Sequence, residues 1–191
     1  MTLADRIITA LAAEPPPDLL PGDLIEGDET EPRHAAVLVA ITDRMEPGLI
    51  LTVRQPDLRT HAGQVAFPGG RIDEGEDAKS AALREAWEEV ALDPDRVRVL
   101  GEADPYRTVT GYAVTPVVAL IPANLELHPN EAEVADWFEA PLDFVLDPIN
   151  QQRMTADYRG RTRHYYRIDW QGRPIWGATA AMLVNLAKRL A

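Results

Sequence analysis

The stretch that most constrains this chain runs from Gly70 to Leu92, GRIDEGEDAKSAALREAWEEVAL. From about Asp77 to Val90 it is rich in Ala, Leu and Glu and lacks Gly and Pro, which predicts a helix. At about 100° per residue, Leu83, Ala86, Trp87 and Val90 are expected to share one face. Glu85, Glu88 and Glu89 then fall opposite, bordered only by the small Ala78, Ala81 and Ala82. Like charges three and four residues apart each destabilise a helix by roughly 0.2–0.5 kcal/mol. One reading is a solvated acidic face. The other is a docking place for a cation, because alanines leave room beside the carboxylates. Hard divalent ions such as Mg²⁺ take oxygen ligands and keep several waters, so a few carboxylates and a substrate phosphate suffice.

The frame around the helix favours the cation. Gly70, Glu76, Arg84-Glu85 and Glu88-Glu89 resemble the Nudix box. That box reads Gly, five residues, Glu, seven residues, Arg-Glu-aliphatic-x-Glu-Glu-x-Gly-aliphatic. In the family this segment is a loop–helix–loop that holds Mg²⁺ or Mn²⁺ against a diphosphate. Two positions depart: Ala86 is a small version of the aliphatic residue, and Ala91 stands where the family has Gly. If Ala91 is a left-handed helix cap, alanine costs about 1–2 kcal/mol there.

A second signature precedes the first: ILTVRQPDLRTHAGQVAFPGG, from Ile50 to Gly70. It resembles the motif of the coenzyme A pyrophosphatase branch, Leu-Leu-Thr-x-Arg-Ser/Ala, three residues, Arg, three residues, Gly, three residues, Phe-Pro-Gly-Gly. Leu51, Thr52, Arg54, Arg59, Gly63, Phe67, Pro68, Gly69 and Gly70 match; Ile50 is conservative, and Gln55 replaces the small residue expected. The residues make chemical sense in their own right. Arg54, Arg59 and His61 put two fixed cations and a titratable ring beside a metal site, where a polyanionic substrate would lie. Gly69 and Gly70 let backbone approach metal and phosphate without a Cβ in the way. The plainer alternative is a strand followed by a loop with surface arginines.

Composition sets bounds. The 191 residues predict one domain with a sizeable core, its first 33 residues an N-terminal helix and Pro-rich connector. A formal net charge of −12 argues against nucleic acid or an anionic membrane as main partner. An anionic small-molecule substrate must therefore be drawn in by local charge and metal. The absence of Cys excludes disulfides and thiol catalysis. Arg6 followed by IITALAA mimics a weak signal peptide. Asp5 in front, with Leu3, Ile7, Ile8 and Leu11 at helical spacing, favours an ordinary amphipathic helix, and the expected location is cytoplasmic.

Along the rest of the chain, strands are expected at 34–42, 48–54, 65–67, 97–101, 106–110, 113–121 and 134–140. A short helix should start at Leu142 and a terminal helix cover 179–190. A hairpin is expected around Gln171-Gly172, with Trp170 and Trp176 in the core. Arg159, Arg161 and Arg163 alternate, so a strand would put them on one face, as a solvated hairpin surface or a second phosphate contact.

The resemblance implies a Nudix α/β/α sandwich with a mixed sheet and extra N- and C-terminal helices. It implies hydrolysis of the diphosphate bond of coenzyme A or its thioesters. Glu85, Glu88 and Glu89 would hold Mg²⁺ or Mn²⁺, with Arg84 orienting them and Glu76 closing the loop onto the helix. Arg54, Arg59, His61, Gly69 and Gly70 would bind substrate. A carboxylate near residue 130 often completes such sites, and Glu133 is preferred to Glu131; the general base is Glu133 or a box glutamate. Two alternatives stay open: a Nudix enzyme for ADP-ribose or a dinucleotide, and a catalytically silent binding module, which usually lacks box carboxylates.

Overall fold

The computed structural model describes residues 1–23, 30–57, 62–158 and 160–191. In chain order these form α1 (Leu3–Ala12), β1 (Arg33–Asp43), β2 (Gly48–Arg54), β3 (Val65–Ala66), β4 (Gly69–Arg71) and α2 (Ala78–Val90). There follow β5 (Arg98–Glu102), β6 (Tyr106–Arg107), β7 (Tyr112–Pro122), β8 (Val134–Pro141) and α3 (Leu142–Leu146). The chain closes with β9 (Gln152–Tyr158), β10 (Arg161–Trp170), β11 (Arg173–Trp176) and α4 (Ala178–Leu190).

The continuous apolar run of β1 is explained by its place. It pairs in parallel with β7 from Arg33↔Tyr112 to Asp43↔Pro122, at the centre of a sheet covered on both faces, where no polar alternation is tolerated. Antiparallel β5 and β6 flank β7, and β8 lies along the whole of β2, so the sheet is mixed. Between β1 and β2 the sheet splits. They meet at Ile41↔Leu49, after which β2 pairs with β3 and β1 pairs with β4. The turn between β3 and β4 fills the split, with the Leu38 N–H donating to Pro68 O at 2.8 Å. Gly69 and Gly70 are thereby fixed in the opening.

Two cores lie on opposite faces of this sheet. On one, Val39, Ile41, Leu49, Leu51, Val118 and Leu120 pack with Ile7 of α1, Val145 of α3 and Leu183 of α4. On the other, Ala36, Leu38, Ala40, Ile50, Val117 and Ala119 meet Ala81, Ala82, Ala86 and Val90 of α2. The result is the expected α/β/α sandwich with helices added at both ends. α1 is closed by a reciprocal cap between Thr2 and Asp5. The connector after it is tied to α4, where buried Asn185 both donates to and accepts from the Leu20 backbone at 2.8 Å. Arg189 grips Asp104 through two 2.7 Å bonds and also reaches the Ala10 and Ala13 carbonyls.

Some elements differ from expectation. β4 (Gly-Gly-Arg) has no strand propensity and forms because β1 offers it partners. β9 carries no apolar alternation and is built by its register with β10. Trp170 packs on Phe144, with ring centroids 4.7 Å apart, but Trp176 is 41 % exposed and makes an edge-on contact with Tyr165. Arg163 donates to Asp23 O at 3.1 Å; Arg159 lies outside the described residues. Among the described residues no helix is long and apolar enough to cross a membrane.

Candidate active site

The box helix docks by a different face from the one periodicity suggests. Ala81, Ala82, Ala86, Glu89 and Val90 are buried, while Trp87 is 52 % exposed. The alanine and glutamate side turns toward the sheet. Alanines on α2 meet alanines on β1 and β7, and such small side chains let a helix lie close to the strands. The helix begins at Asp77, whose carboxylate accepts from the Ser80 N–H at 2.7 Å. It ends at Ala91 in the left-handed conformation, φ 55° and ψ 32°. The Ala91 N–H reaches Trp87 O and the Leu92 N–H reaches Ala86 O, so the ending keeps the cap geometry without the glycine that suits it.

That docking inserts two of the three carboxylates into the gap beside β4. Glu89 is 3 % exposed and accepts the Gly69 N–H at 3.2 Å. The Arg54 guanidinium at the end of β2 stands 3.9 Å from its other oxygen, with Arg54 Nε buried and without a partner among the described residues. Glu85 faces Gly70 so closely that a Cβ there would overlap its carboxylate. At Gly69 a Cβ would strike the β1 backbone at Ala36 and Val37. Gly69 is therefore required by contact with backbone, whereas a side chain at Gly70 would displace the Glu85 carboxylate.

Arg84 organises the outer side. It grips Glu76 through Nε at 3.1 Å and Nη2 at 3.0 Å, and donates from Nη1 to Glu85 at 2.9 Å and to Glu88 at 3.4 Å. Its Nη2 also reaches Arg71 O at 3.0 Å. Glu76 in turn accepts the Asp73 N–H. Glu76 thus closes the loop onto the helix through Arg84, whose bond holds the Glu76 carboxyl below its usual range.

Burial pushes the Glu85 carboxyl up, against the Arg84 bond, and the charges of Glu88 and Glu133 push it further. Burial drives Glu89 up to about 7; the Gly69 N–H and Arg54 oppose this, and the charges of Glu85 and Glu133 add to it. The charge of Glu133, itself exposed, thus bears on both carboxylates. Its loop is fastened to the box helix, where the His128 and Asn130 N–H groups cap the Val90 and Glu89 carbonyls at 2.9 and 2.8 Å.

Glu85, Glu89, Arg54, Gly69 and Gly70 thus converge, with Glu88 half-exposed at the rim and the exposed Glu133 on the loop fastened to the helix end. Arg59 and His61 lie outside the described residues. Residue spacing did not reveal Gln55 as a contact to the Glu133 loop; its departure from the upstream motif was the available signal. A cleft of about 870 Å³ opens elsewhere, between α1, α3 and α4, and no box residue lines it.

The donor set fits a hard divalent cation. Among the described residues no three His, Asp or Glu side chains stand close enough together to hold a metal ion by themselves, and Arg84 bonds both Glu85 and Glu88. Mg²⁺ does not need such a cluster, since water and substrate phosphate complete its shell. Crowded, desolvated carboxylates facing a Cβ-free turn are what a cation would relieve.

A mixed sheet split between β1 and β2, with a glycine turn in the split pressed onto a carboxylate helix, is the arrangement of a Nudix hydrolase. The NUDIX domain model matches residues 32–165, from β1 into β10, and the chain belongs to that family. It is 44% identical over 168 residues to a protein of Citrobacter koseri named uncharacterized Nudix hydrolase NudL, covering 87% of each chain. Identity to the protein of the same name from Pectobacterium atrosepticum is 44% over 185 residues, 96% of this chain and 92% of that one. Among solved structures, RenU, a Nudix hydrolase from M. smegmatis, superposes with a TM-score of 0.51 at 25% identity, over 58% of this chain and 71% of that one. Nudix hydrolases are enzymes that generally use divalent ions such as Mg²⁺ or Mn²⁺ and act on small-molecule nucleoside diphosphate derivatives.

Proposed function

We propose that this enzyme hydrolyses the diphosphate bond of coenzyme A or its thioesters. The products are 4′-phosphopantetheine, or its acyl form, and adenosine 3′,5′-bisphosphate. The observation that carries the reading is the junction of the two motifs. Arg54, Gly69 and Gly70, all from the coenzyme A-type signature, meet the carboxylates of the box directly.

Glu85 and Glu89, with Glu88 at the rim, would hold Mg²⁺ or Mn²⁺. When bound, that ion would supply positive charge to offset the diphosphate's and would make an attacking water more acidic. Arg84 fixes the carboxylates, and the Gly69 N–H fixes Glu89. Arg54 meets the diphosphate. Arg59 and His61, from the same motif, bind substrate at this anion or at the 3′-phosphate. Water attacks one phosphorus, its proton passes to Glu133, and the bridging P–O bond breaks with its electron pair leaving on the other phosphate.

The test is hydrolysis of coenzyme A, dephospho-coenzyme A, ADP-ribose and a dinucleotide with Mg²⁺ and with Mn²⁺, products being separated by chromatography. The expected result is a kcat/KM for coenzyme A at least about tenfold above that for ADP-ribose or the dinucleotide, a margin of about 1.4 kcal/mol. Equal or better turnover of either would overturn the coenzyme A reading and leave a Nudix diphosphatase of another specificity.

A further inference from the structure

Gln55 stands where the upstream motif has a small residue, and it touches the loop that carries Glu133. Its backbone N–H donates to Glu133 O at 2.9 Å. Any residue but proline would make that bond. Its side chain adds a second, from Nε2 to Glu131 O at 2.7 Å, which serine or alanine could not make. On its other side the same loop is held by Asn130 N–H on Glu89 O and closes on itself through Glu133 N–H and Val134 N–H on Asn130 O. The loop is thus clamped between the end of the box helix and the end of β2, and the Gln55 amide adds a side-chain bond to the second clamp.

We propose that Gln55 is a positioning residue that sets the Glu131–Glu133 turn against the box helix and so holds the Glu133 carboxylate at the reacting water. The inference rests on the reading of Glu133 as the proton acceptor. Gln55 touches no reacting atom in this account. Its effect passes through the turn, where a small misplacement of a base is expressed in turnover more than in substrate binding. The neighbouring Arg54 faces Glu89, so the end of β2 orders both sides of the gap at once.

The test compares the whole enzyme with Gln55→Met, which keeps the length and removes the donor, with Glu133→Gln, and with the double variant. On whichever panel substrate wild type turns over best, Gln55→Met should lower kcat about threefold to tenfold at unchanged KM, the effect of losing one ordinary hydrogen bond. Glu133→Gln should lower kcat about a hundredfold or more, and the double variant should fall no further. Amide hydrogen exchange over residues 128–134 should quicken by about threefold to tenfold in metal-free Gln55→Met, with β1 unchanged, a readout that needs no turnover.

Unchanged exchange in that segment overturns the inference whatever the rate does. Effects that multiply in the double variant overturn it too, because Gln55 would then act by another route. If Glu133→Gln is impaired and Gln55→Met is not, the positioning role fails and the base assignment stands. If Glu133→Gln keeps wild-type turnover, the base assignment fails and takes the positioning role with it.

Discussion

The two faces of the central sheet carry the same strands and solve opposite problems. On the α4 face, Ile41, Leu49, Leu51 and Leu183 are all fully buried, and branched side chains fill the space between layers. On the α2 face, alanines thin the contact, and a nearly buried glutamate sits among them. The first arrangement maximises buried apolar area. The second gives up area so that a helix can bring carboxylates close to a glycine turn. A difference of this kind across one sheet shows where stability has been exchanged for chemistry.

The largest effects should come from breaking the chemical face. Glu85→Gln and Glu89→Gln should each reduce kcat by roughly a hundredfold or more, because each removes a charged oxygen ligand without adding bulk. Cooperative melting should persist. Activity above about a tenth of wild type in both would sink the assignment of this face to the metal. The opposite face should behave in reverse. Leu183→Ala should cost about 2–5 kcal/mol of stability, measured by denaturant unfolding, as buried leucine truncations do. Turnover of the protein that remains folded should stay within about twofold. A loss below about 1 kcal/mol would mean that this core collapses around the gap.

A smaller effect is expected at the end of the chemical face. Ala91 holds φ at 55°, a conformation glycine adopts without strain, so Ala91→Gly should raise stability by about 1 kcal/mol. An unchanged or lower melting temperature would show that the left-handed strain is relieved in some other way.

The sequence revealed much of this architecture because strong patterns coincide with it. The β1 run is apolar since both its faces are covered, and Gly48–Arg54 is bounded by turns, so both strands were legible. The carboxylate register was legible because its spacing is tied to a glycine and an arginine. Which side of α2 faces the sheet was not. Periodicity weighs Leu83 and Trp87 above alanine, whereas the docking depends on how close β1 and β7 can come, and that depends on Ala36, Ala40 and Ala119 of other elements. β4 and β9 were invisible for a related reason: their hydrogen-bond partners make them strands, and no local propensity does. The Gln55 contact is likewise tertiary, with 76 residues separating donor from acceptor.

Glu89 connects stability to the site through pH. Its carboxyl, raised to about 7 in the fold, ionises near 4.3 in an unfolded chain. The native state therefore keeps a proton that the unfolded state has lost. Its stabilising contribution is full below about 4.3 and is lost as pH rises through about 7. A bound cation should restore stability above that range. The most direct measurement is the melting temperature at pH 8 with and without saturating Mn²⁺, for wild type and for Glu89→Gln. Wild type should gain roughly 5 °C or more from the ion, and Glu89→Gln should gain little while melting, without metal, no lower than metal-free wild type. An equal gain in both proteins would place the cation elsewhere and contradict the account of the α2 face.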